Sequence, residues 1–268
     1  MSELYKLPDG NVQISFSGGR TSGYMLHQIL DANGDLPDRV RVIFSNTGRE
    51  MPETLDFVQE CGERWGVNII WTEWRPEKPF FETVNHNCAD RDGWVFSRLI
   101  AKNKMLPNVG KRFCTKEMKV LTAKRYLVSV GWKQWTNTLG IRADEPKRLR
   151  PSKDKRMTRW FPMAQADVRK SDVLDFWSTQ PFDLRLTTTS NCEGCFLKSE
   201  ANLAAMWRSH PERMQWWVDQ EEKMQANFIY GKPYKKVGEF VDAQGDWIFD
   251  ADNGALCQAD DGECLDDL

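Results

Sequence analysis

Ser17-Gly18-Gly19-Arg20-Thr21-Ser22-Gly23 joins an apolar run, Val12 to Phe16, to a helical pattern, Tyr24 to Leu30. Residues of these types in this order suit an anion. Adjacent glycines let the main chain approach a phosphate closely, and the unpaired amides and dipole of a helix N-terminus face it. The hydroxyls of Ser17 and Ser22 add donors. The expected ligand is a nucleotide or pyrophosphate. The spacing is neither the G-x-x-x-x-G-K-[ST] loop nor the G-x-G-x-x-G dinucleotide turn. Two glycines after a strand also make a plain tight turn.

Two other groups could carry chemistry. Asn191-Cys192-Glu193-Gly194-Cys195 is a CxxC pair whose type suits redox, zinc or iron–sulfur chemistry alike. The surrounding pattern is not the βαβ setting of a thioredoxin-like motif. The stretch from Arg142 to Arg159 carries Arg142, Lys147, Arg148, Arg150, Lys153, Lys155, Arg156 and Arg159 against Asp144, Glu145 and Asp154. Planar guanidinium forks suit oxyanions, and such a loop can also guide a polyanion or simply be solvated. His27 and His210 fall in helical patterns and read as structural. Cys61 falls on an amphipathic helix and reads as core, while Cys88 has His86 and Asp90 near it in sequence.

The elements that position these groups follow from periodicity. Strand patterns at Val12–Phe16, Val40–Ser45 and Asn68–Trp74 alternate with helical patterns at Gly23–Asp31 and Pro52–Trp65. This alternation predicts an α/β fold, a Rossmann-like parallel sheet with helices on both faces and ligands at the carboxyl ends of the strands. Phe80–Met105 reads as irregular helix, Thr115–Val130 as an amphipathic helix and Gln134–Leu139 as a strand. Helices are expected at Lys170–Ser178, Glu200–Ser209 and Pro211–Phe228. The expected division is an α/β nucleotide-binding domain at 10–180 and a mainly helical C-terminal region at 181–268, packed on it.

The 268 residues are 40% hydrophobic and 28% charged with a net charge of −2, a globular composition that does not by itself select a nucleic-acid partner. No run approaches the roughly 20 apolar residues of a membrane span, and Met1–Gly10 has no apolar signal core. A cytoplasmic protein without a membrane partner is expected, so disulfides are not the expected role of its 7 cysteines. The 12 tryptophans read as packing rather than base stacking.

Five segments in order resemble one family. Ser17-Gly18-Gly19-Arg20-Thr21-Ser22 resembles the S-G-G-x-x-S loop of the PP-loop ATP pyrophosphatases, closest to the phosphoadenosine phosphosulfate (PAPS) reductase branch. Ser45-Asn46-Thr47-Gly48 with Pro52-Glu53-Thr54 resembles that branch's D-T-G…P-E-T segment. Arg112-Phe113-Cys114-Thr115-Lys116 resembles R-x-C-T. Leu139-Gly140-Ile141-Arg142-Ala143-Asp144-Glu145 with Arg148 resembles G-x-R-x-D-E…R, and Phe161-Pro162-Met163 resembles the P-L/M segment. The resemblance spans about residues 10 to 210. Arg20 and Thr21 stand where the family loop carries Lys and Asp, and Asn46 where it commonly carries Asp, changing the local charge.

The resemblance implies that the Ser17–Ser22 loop, Asn46, Thr47, Gly48, Arg142 and Arg148 bind the nucleotide. Asp144 and Glu145 would position Mg²⁺ or the arginines. It further implies a [4Fe–4S] cluster on Cys114, Cys192, Cys195 and a tail cysteine, Cys264 or Cys257; the residues by themselves leave zinc and unligated thiols as the alternatives. The implied reaction is ATP-dependent adenylation with release of pyrophosphate, followed by sulfur transfer, with Arg142 and Asp144 as catalytic residues. Its partners would be a nucleic-acid or small acceptor and a sulfur-donor protein, in a homodimer. The family's alternative is reduction of PAPS or adenylyl sulfate by a nucleophilic cysteine in E-C-G-x-H. Cys264 is the matching candidate, but here the tail reads Glu263-Cys264-Leu265, and surrounding carboxylates raise a thiol's pKa. A non-catalytic nucleotide- or nucleic-acid-binding module is the third reading.

Overall fold

The apolar runs of the first half become parallel strands in the computed structural model, which describes residues 2–186 and 192–244. Strands β1 (Val12–Ser15), β2 (Val40–Asn46), β3 (Ile69–Trp74), β4 (Phe81–Val84), β5 (Trp135–Thr138) and β6 (Met157–Trp160) form one sheet in the order β4-β3-β2-β1-β5-β6. All neighbours pair parallel except β3 and β4, which are antiparallel. Strand β1 pairs with β2 on one side and β5 on the other, so the strand order reverses there. The crevice beyond its carboxyl end is the topological switch point, where open α/β sheets hold ligands.

Alternation along β1 sends its side chains to two different layers. Val12 and Ile14, with Val42 and Phe44 of β2, are buried against Met25, Leu26 and Ile29 of α1 (Arg20–Asn33). The same core takes Leu55 and Val58 of α2 (Pro52–Arg64) and Val173 and Trp177 of α6 (Lys170–Ser178). On the other face, Ile43 and Trp135 meet Ala123 and Leu127 of α4 (Thr122–Ser129). The start of α2 is marked in sequence by Pro52 at its first turn and Glu53 beside it, which suit the unpaired amides and the dipole.

A further core joins α3 (Trp94–Asn103) to α7 (Glu200–Ser209), α8 (Pro211–Met224) and α9 (Tyr234–Gln244). Phe96 and Leu99 pack there with Leu203, Met214, Trp217 and Phe228, and Met51 and Trp74 from the ends of the strand region join them. This ties the C-terminal helices to the carboxyl end of the sheet. Trp71, Trp74, Trp132, Trp135, Trp177 and Trp217 are all buried, so packing accounts for them.

Three expectations need correction. Phe80–Met105 is not one irregular helix: it contains β4, a turn and α3. Strand β4 is half-exposed and exists through its ladder with β3, which periodicity does not reveal. The amphipathic run Thr115–Val130 splits into a π-helical segment, Cys114–Leu121, and then α4. The basic stretch ends in β6 rather than in a loop. Helix α9, which the periodicity reading did not include, packs against α7 and α8.

His27 of α1 lies between the rings of Trp65 and Phe176, with centroids 5.4 and 4.9 Å away, and its buried Nδ1 has no hydrogen-bond partner. Burial holds its pKa below the ordinary histidine value. Below about pH 6.5 the unfolded chain therefore takes up a proton that the folded chain resists. Stability is full above that pH and declines as the pH falls toward the folded pKa. His27→Gln should flatten the decline in melting temperature between about pH 7 and pH 5, measured by thermal melts across that range.

Candidate active site at the carboxyl end of the sheet

The Ser17–Ser22 turn is held by its own hydroxyls. The Ser17 amide donates to Ser22 Oγ at 3.2 Å, and Ser22 Oγ donates to the Gly19 carbonyl at 2.9 Å. The two serine hydroxyls stand 2.9 Å apart. Gly19 caps α1 in an extended conformation without a side-chain cap. Gly18 sits at φ 81°, and a β-carbon there would fall 2.8 Å from Thr54 Cγ2 and 2.9 Å from Val58 Cγ2. No other residue fits this turn, because α2 presses against it. The result is a helix N-terminus opened toward the crevice, the geometry that binds anions.

Arg20 points elsewhere. Its guanidinium pairs with Asp183 at 2.6 Å and donates to the Leu184 carbonyl at 2.6 Å, while Trp177 Nε1 donates to the Arg20 carbonyl at 2.8 Å. The side chain at the family's lysine position thus ties α1 to the segment after α6. Thr21, at the family's aspartate position, accepts from Arg142 Nη1 at 3.2 Å. Arg142 is buried beside the loop and also donates through Nε to Asp144 Oδ1 at 2.9 Å. Burial alone would raise the Asp144 carboxyl, but the hydrogen bond and charge of Arg142 and the Lys170 amide hold it below the ordinary value. The Arg142 amide donates to buried Glu145 at 3.2 Å, and Arg148 pairs with the same carboxylate. Arg142, Asp144, Arg148 and the loop are therefore one bonded constellation.

A cavity of about 290 Å³ opens beside Ser17, between the sheet and the π-helical segment with α4. Its floor is polar: Trp135 Nε1 donates to Gln13 Oε1 at 3.0 Å, Gln13 Nε2 to Ser15 Oγ at 3.1 Å, and Ser15 Oγ to Asn137 Oδ1 at 2.7 Å. Its wall and rim carry Lys116, Lys119, Lys124, Lys153 and Arg159, with Asp154 paired to Lys124, so cations predominate. Apolar area comes from Phe16, Ile43 and Met157. A flat heterocycle attached to phosphates matches this combination.

The turn after β2 is equally organised. Asn46 Nδ2 donates to Glu73 Oε1 at 2.6 Å and to the Asp90 carbonyl at 2.8 Å, and Asn46 Oδ1 accepts from the Gly48 amide at 3.1 Å. The Thr47 amide and hydroxyl both donate to the Glu50 carboxylate at 2.8 Å. Glu50 is fully buried, which raises its carboxyl, while Lys119 and the Thr47 bonds oppose the rise.

The CxxC segment docks on this turn through a β-bridge between Glu50 and Cys192. Cys114, Cys192 and Cys195 all border the core formed with the C-terminal helices. Burial pushes the Cys192 thiol up to about 12, with Glu50 adding to the rise and Lys119 and Lys198 opposing it. Cys114 also lies within electrostatic reach of Cys192. Among the described residues, no three His, Cys, Asp or Glu side chains converge to hold a metal ion. Cys257 and Cys264 lie outside the described residues. Cys61 is buried in the main core, and Cys88 is exposed, with neighbouring His86 turned 2.7 Å from Asp56.

Sequence reading missed the groups that hold these parts together. Glu50 and Glu193 look like surface residues, yet both are buried. Arg49 and Arg213, which pair with Glu193, lie far apart in the chain. The floor residues Gln13, Ser15 and Asn137 had one local signal, polar residues in otherwise apolar strands.

The phosphoadenosine phosphosulfate reductase domain family matches residues 11–168. A nin region protein of Escherichia phage lambda, ORF290, is 31% identical over 212 residues, which cover 69% of this chain and 66% of that protein. The matched part is thus just under two thirds of that relative's length. The crystal structure of phosphoadenylyl-sulfate (PAPS) reductase from Candida auris, a phosphate complex, aligns with a TM-score of 0.45 at 16% identity. That alignment covers 69% of this chain and 81% of the other. Among the described residues, no helix is long and apolar enough to cross a membrane.

Gly18→Ala should destabilise the fold by about 1–3 kcal/mol, from the positive φ and the collision with α2. The matching fall in melting temperature is roughly 5 °C, read by calorimetry. Arg20→Ala, which breaks a partly exposed pair, should cost about 1 kcal/mol or less in the same measurement.

Proposed function

The chain belongs to the phosphoadenosine phosphosulfate reductase domain family, and on that premise we propose that it binds an adenine nucleotide and activates an acceptor by adenylation. The observation that carries this reading is the Arg142 constellation fused to the Ser17–Ser22 turn beside a basic cavity. In the proposed pose the phosphates lie on the loop amides and the nucleoside enters the cavity. In the same proposal Asn46, Thr47 and Gly48, in the turn after β2, meet the nucleotide.

The proposed reaction uses ATP and Mg²⁺. An oxygen of the acceptor attacks the α-phosphorus, the bond from that phosphorus to the bridging oxygen breaks, and pyrophosphate leaves. AMP is then bonded to the acceptor oxygen. A sulfur atom at the sulfide level, from a donor protein, attacks the activated carbon and expels AMP. Arg142 stabilises the charge that develops on the phosphates, and Asp144 orients the guanidinium. Amides already aimed by the helix need little reorganisation as the charge moves, so positioning supplies much of the effect.

The residue types around Cys192 are those a thiolate-bound group needs, although among the described residues they do not converge and burial favours the protonated Cys192 thiol. Three thiols border one core, and Lys119 and Lys198 bring positive charge toward Cys192. Buried Arg49 and Arg213 share the Glu193 carboxylate, while buried Glu50 places a negative charge beside Cys192. Cys114, Cys192 and Cys195 would hold a [4Fe–4S] cluster with Cys264 or Cys257. When bound, such a cluster supplies a place to hold the incoming sulfur. The proposed acceptor is a nucleic acid, in keeping with the cationic rim, and the proposed assembly is a cytoplasmic homodimer.

The test is to incubate the protein anaerobically with ATP, Mg²⁺ and RNA or DNA and to assay pyrophosphate and AMP. Arg142→Ala should cut pyrophosphate release about 100-fold. Sulfite released from PAPS with no pyrophosphate would replace adenylation by sulfonucleotide reduction. Nucleotide binding without either product would leave a non-catalytic module.

A further inference from the structure

Glu193 lies between the two cysteines of the CxxC segment and is wholly buried. It pairs with Arg49, which follows the Asn46–Gly48 turn directly, and with Arg213 of α8. Trp217 Nε1 donates to it at 3.2 Å. The two arginines are locked in turn: Arg49 Nη2 donates to the Arg213 carbonyl at 2.8 Å, and Arg213 Nη2 to the Glu50 carbonyl at 3.0 Å. The backbone repeats the connection, because the Glu193 amide donates to the Arg49 carbonyl at 3.2 Å. Arg49 also lies over the ring of Trp216, 4.7 Å from its centroid.

The next residue allows no slack. A β-carbon on Gly194 would stand 2.4 Å from the Trp217 ring, and the Gly194 carbonyl accepts from Tyr234 Oη at 2.9 Å. The cysteine segment is therefore fastened to α8 and α9 on one side and to the turn after β2 on the other. A buried carboxylate shared by two guanidiniums cannot follow one partner without abandoning the other, since an unpaired buried charge is strongly unfavourable. Movement of Arg49 must then be passed to the segment carrying Cys192 and Cys195.

We propose that Glu193 is a positioning residue that couples occupancy of the nucleotide site to the placement of the CxxC segment. The proposal rests on the nucleotide reading above, with the Asn46–Gly48 turn as the point where the nucleotide is felt. It assigns to Glu193 a role apart from any ligand or catalytic group: when the turn is ordered by nucleotide, the cysteine segment is ordered with it.

Hydrogen exchange read by mass spectrometry on peptides covering 192–199, with and without ATP and Mg²⁺, tests this. ATP binding is measured on the same samples by calorimetry. In the wild-type protein ATP should slow exchange of this segment about fivefold. Glu193→Gln keeps the shape and loses the charge; it should bind ATP within about threefold of wild type while the slowing falls below twofold. A merely structural role would speed exchange equally with and without ATP and leave the ratio intact. Arg49→Lys, which keeps the charge but loses the fork, provides a second variant and should lower the ratio in the same direction. Wild-type protein that binds ATP with no slowing overturns the coupling whatever the variants do. So does a folded Glu193→Gln protein that binds ATP and keeps the fivefold effect. Wild-type protein that fails to bind ATP overturns the nucleotide reading itself, and the coupling with it.

Discussion

The ion cluster of Arg49, Glu193 and Arg213 is the constraint on which the site depends, because it fixes the charges at the place where the turn after β2, the cysteine segment and α8 also meet through the Glu50–Cys192 bridge and a shared apolar core. Removing water from a carboxylate and two guanidiniums is costly, and only near-complete mutual hydrogen bonding offsets it. The offset is partial here: both Glu193 oxygens are engaged and the arginines reach carbonyls as well, but the buried Arg49 Nε has no hydrogen-bond partner. Such a cluster adds little to net stability compared with an apolar replacement, but it tolerates few geometries. Placement follows from it together with the backbone: the cysteines stand beside the turn after β2 through the Glu50–Cys192 bridge, and Glu193 fixes the register of charges there.

Much of the nucleotide half was legible in the chain. Strands β1, β2 and β3 and helices α1 and α2 alternate with clear periods, and their ends carry their own punctuation in Gly18, Gly19 and Pro52. Short-range chemistry of this kind is written where it acts. Strand β4 was not legible, because a half-exposed edge strand owes its existence to the neighbour it pairs with. Helix α9 was missed although its residues are amphipathic, so its omission has no such physical reason.

The candidate site divides along the same line. The loop, Arg142 and Asp144 lie in compact motifs, and the structure brings them into one bonded group. Arg20 shows the limit of motif reading: it occupies the position of a family lysine, yet it is drawn to Asp183, which lies 163 residues away. Glu50 and Glu193 show the converse. A glutamate has the same sequence appearance on a wet surface and between buried arginines, and only the fold distinguishes the two.

The hydrogen-bonded floor of the cavity has a consequence for what can enter it. Trp135, Gln13, Ser15 and Asn137 satisfy one another in a row, so several of their strongest polar groups are already paired within the protein. Water resting on that floor is accordingly held less tightly than at bare donors and acceptors, and a flat ring can displace it at small dehydration cost. At the mouth Lys124 is already paired with Asp154, so an arriving anion meets a rim that carries charge of both signs. The cavity thus sorts its guest by position, releasing water easily at depth and exchanging it for charge only at the rim.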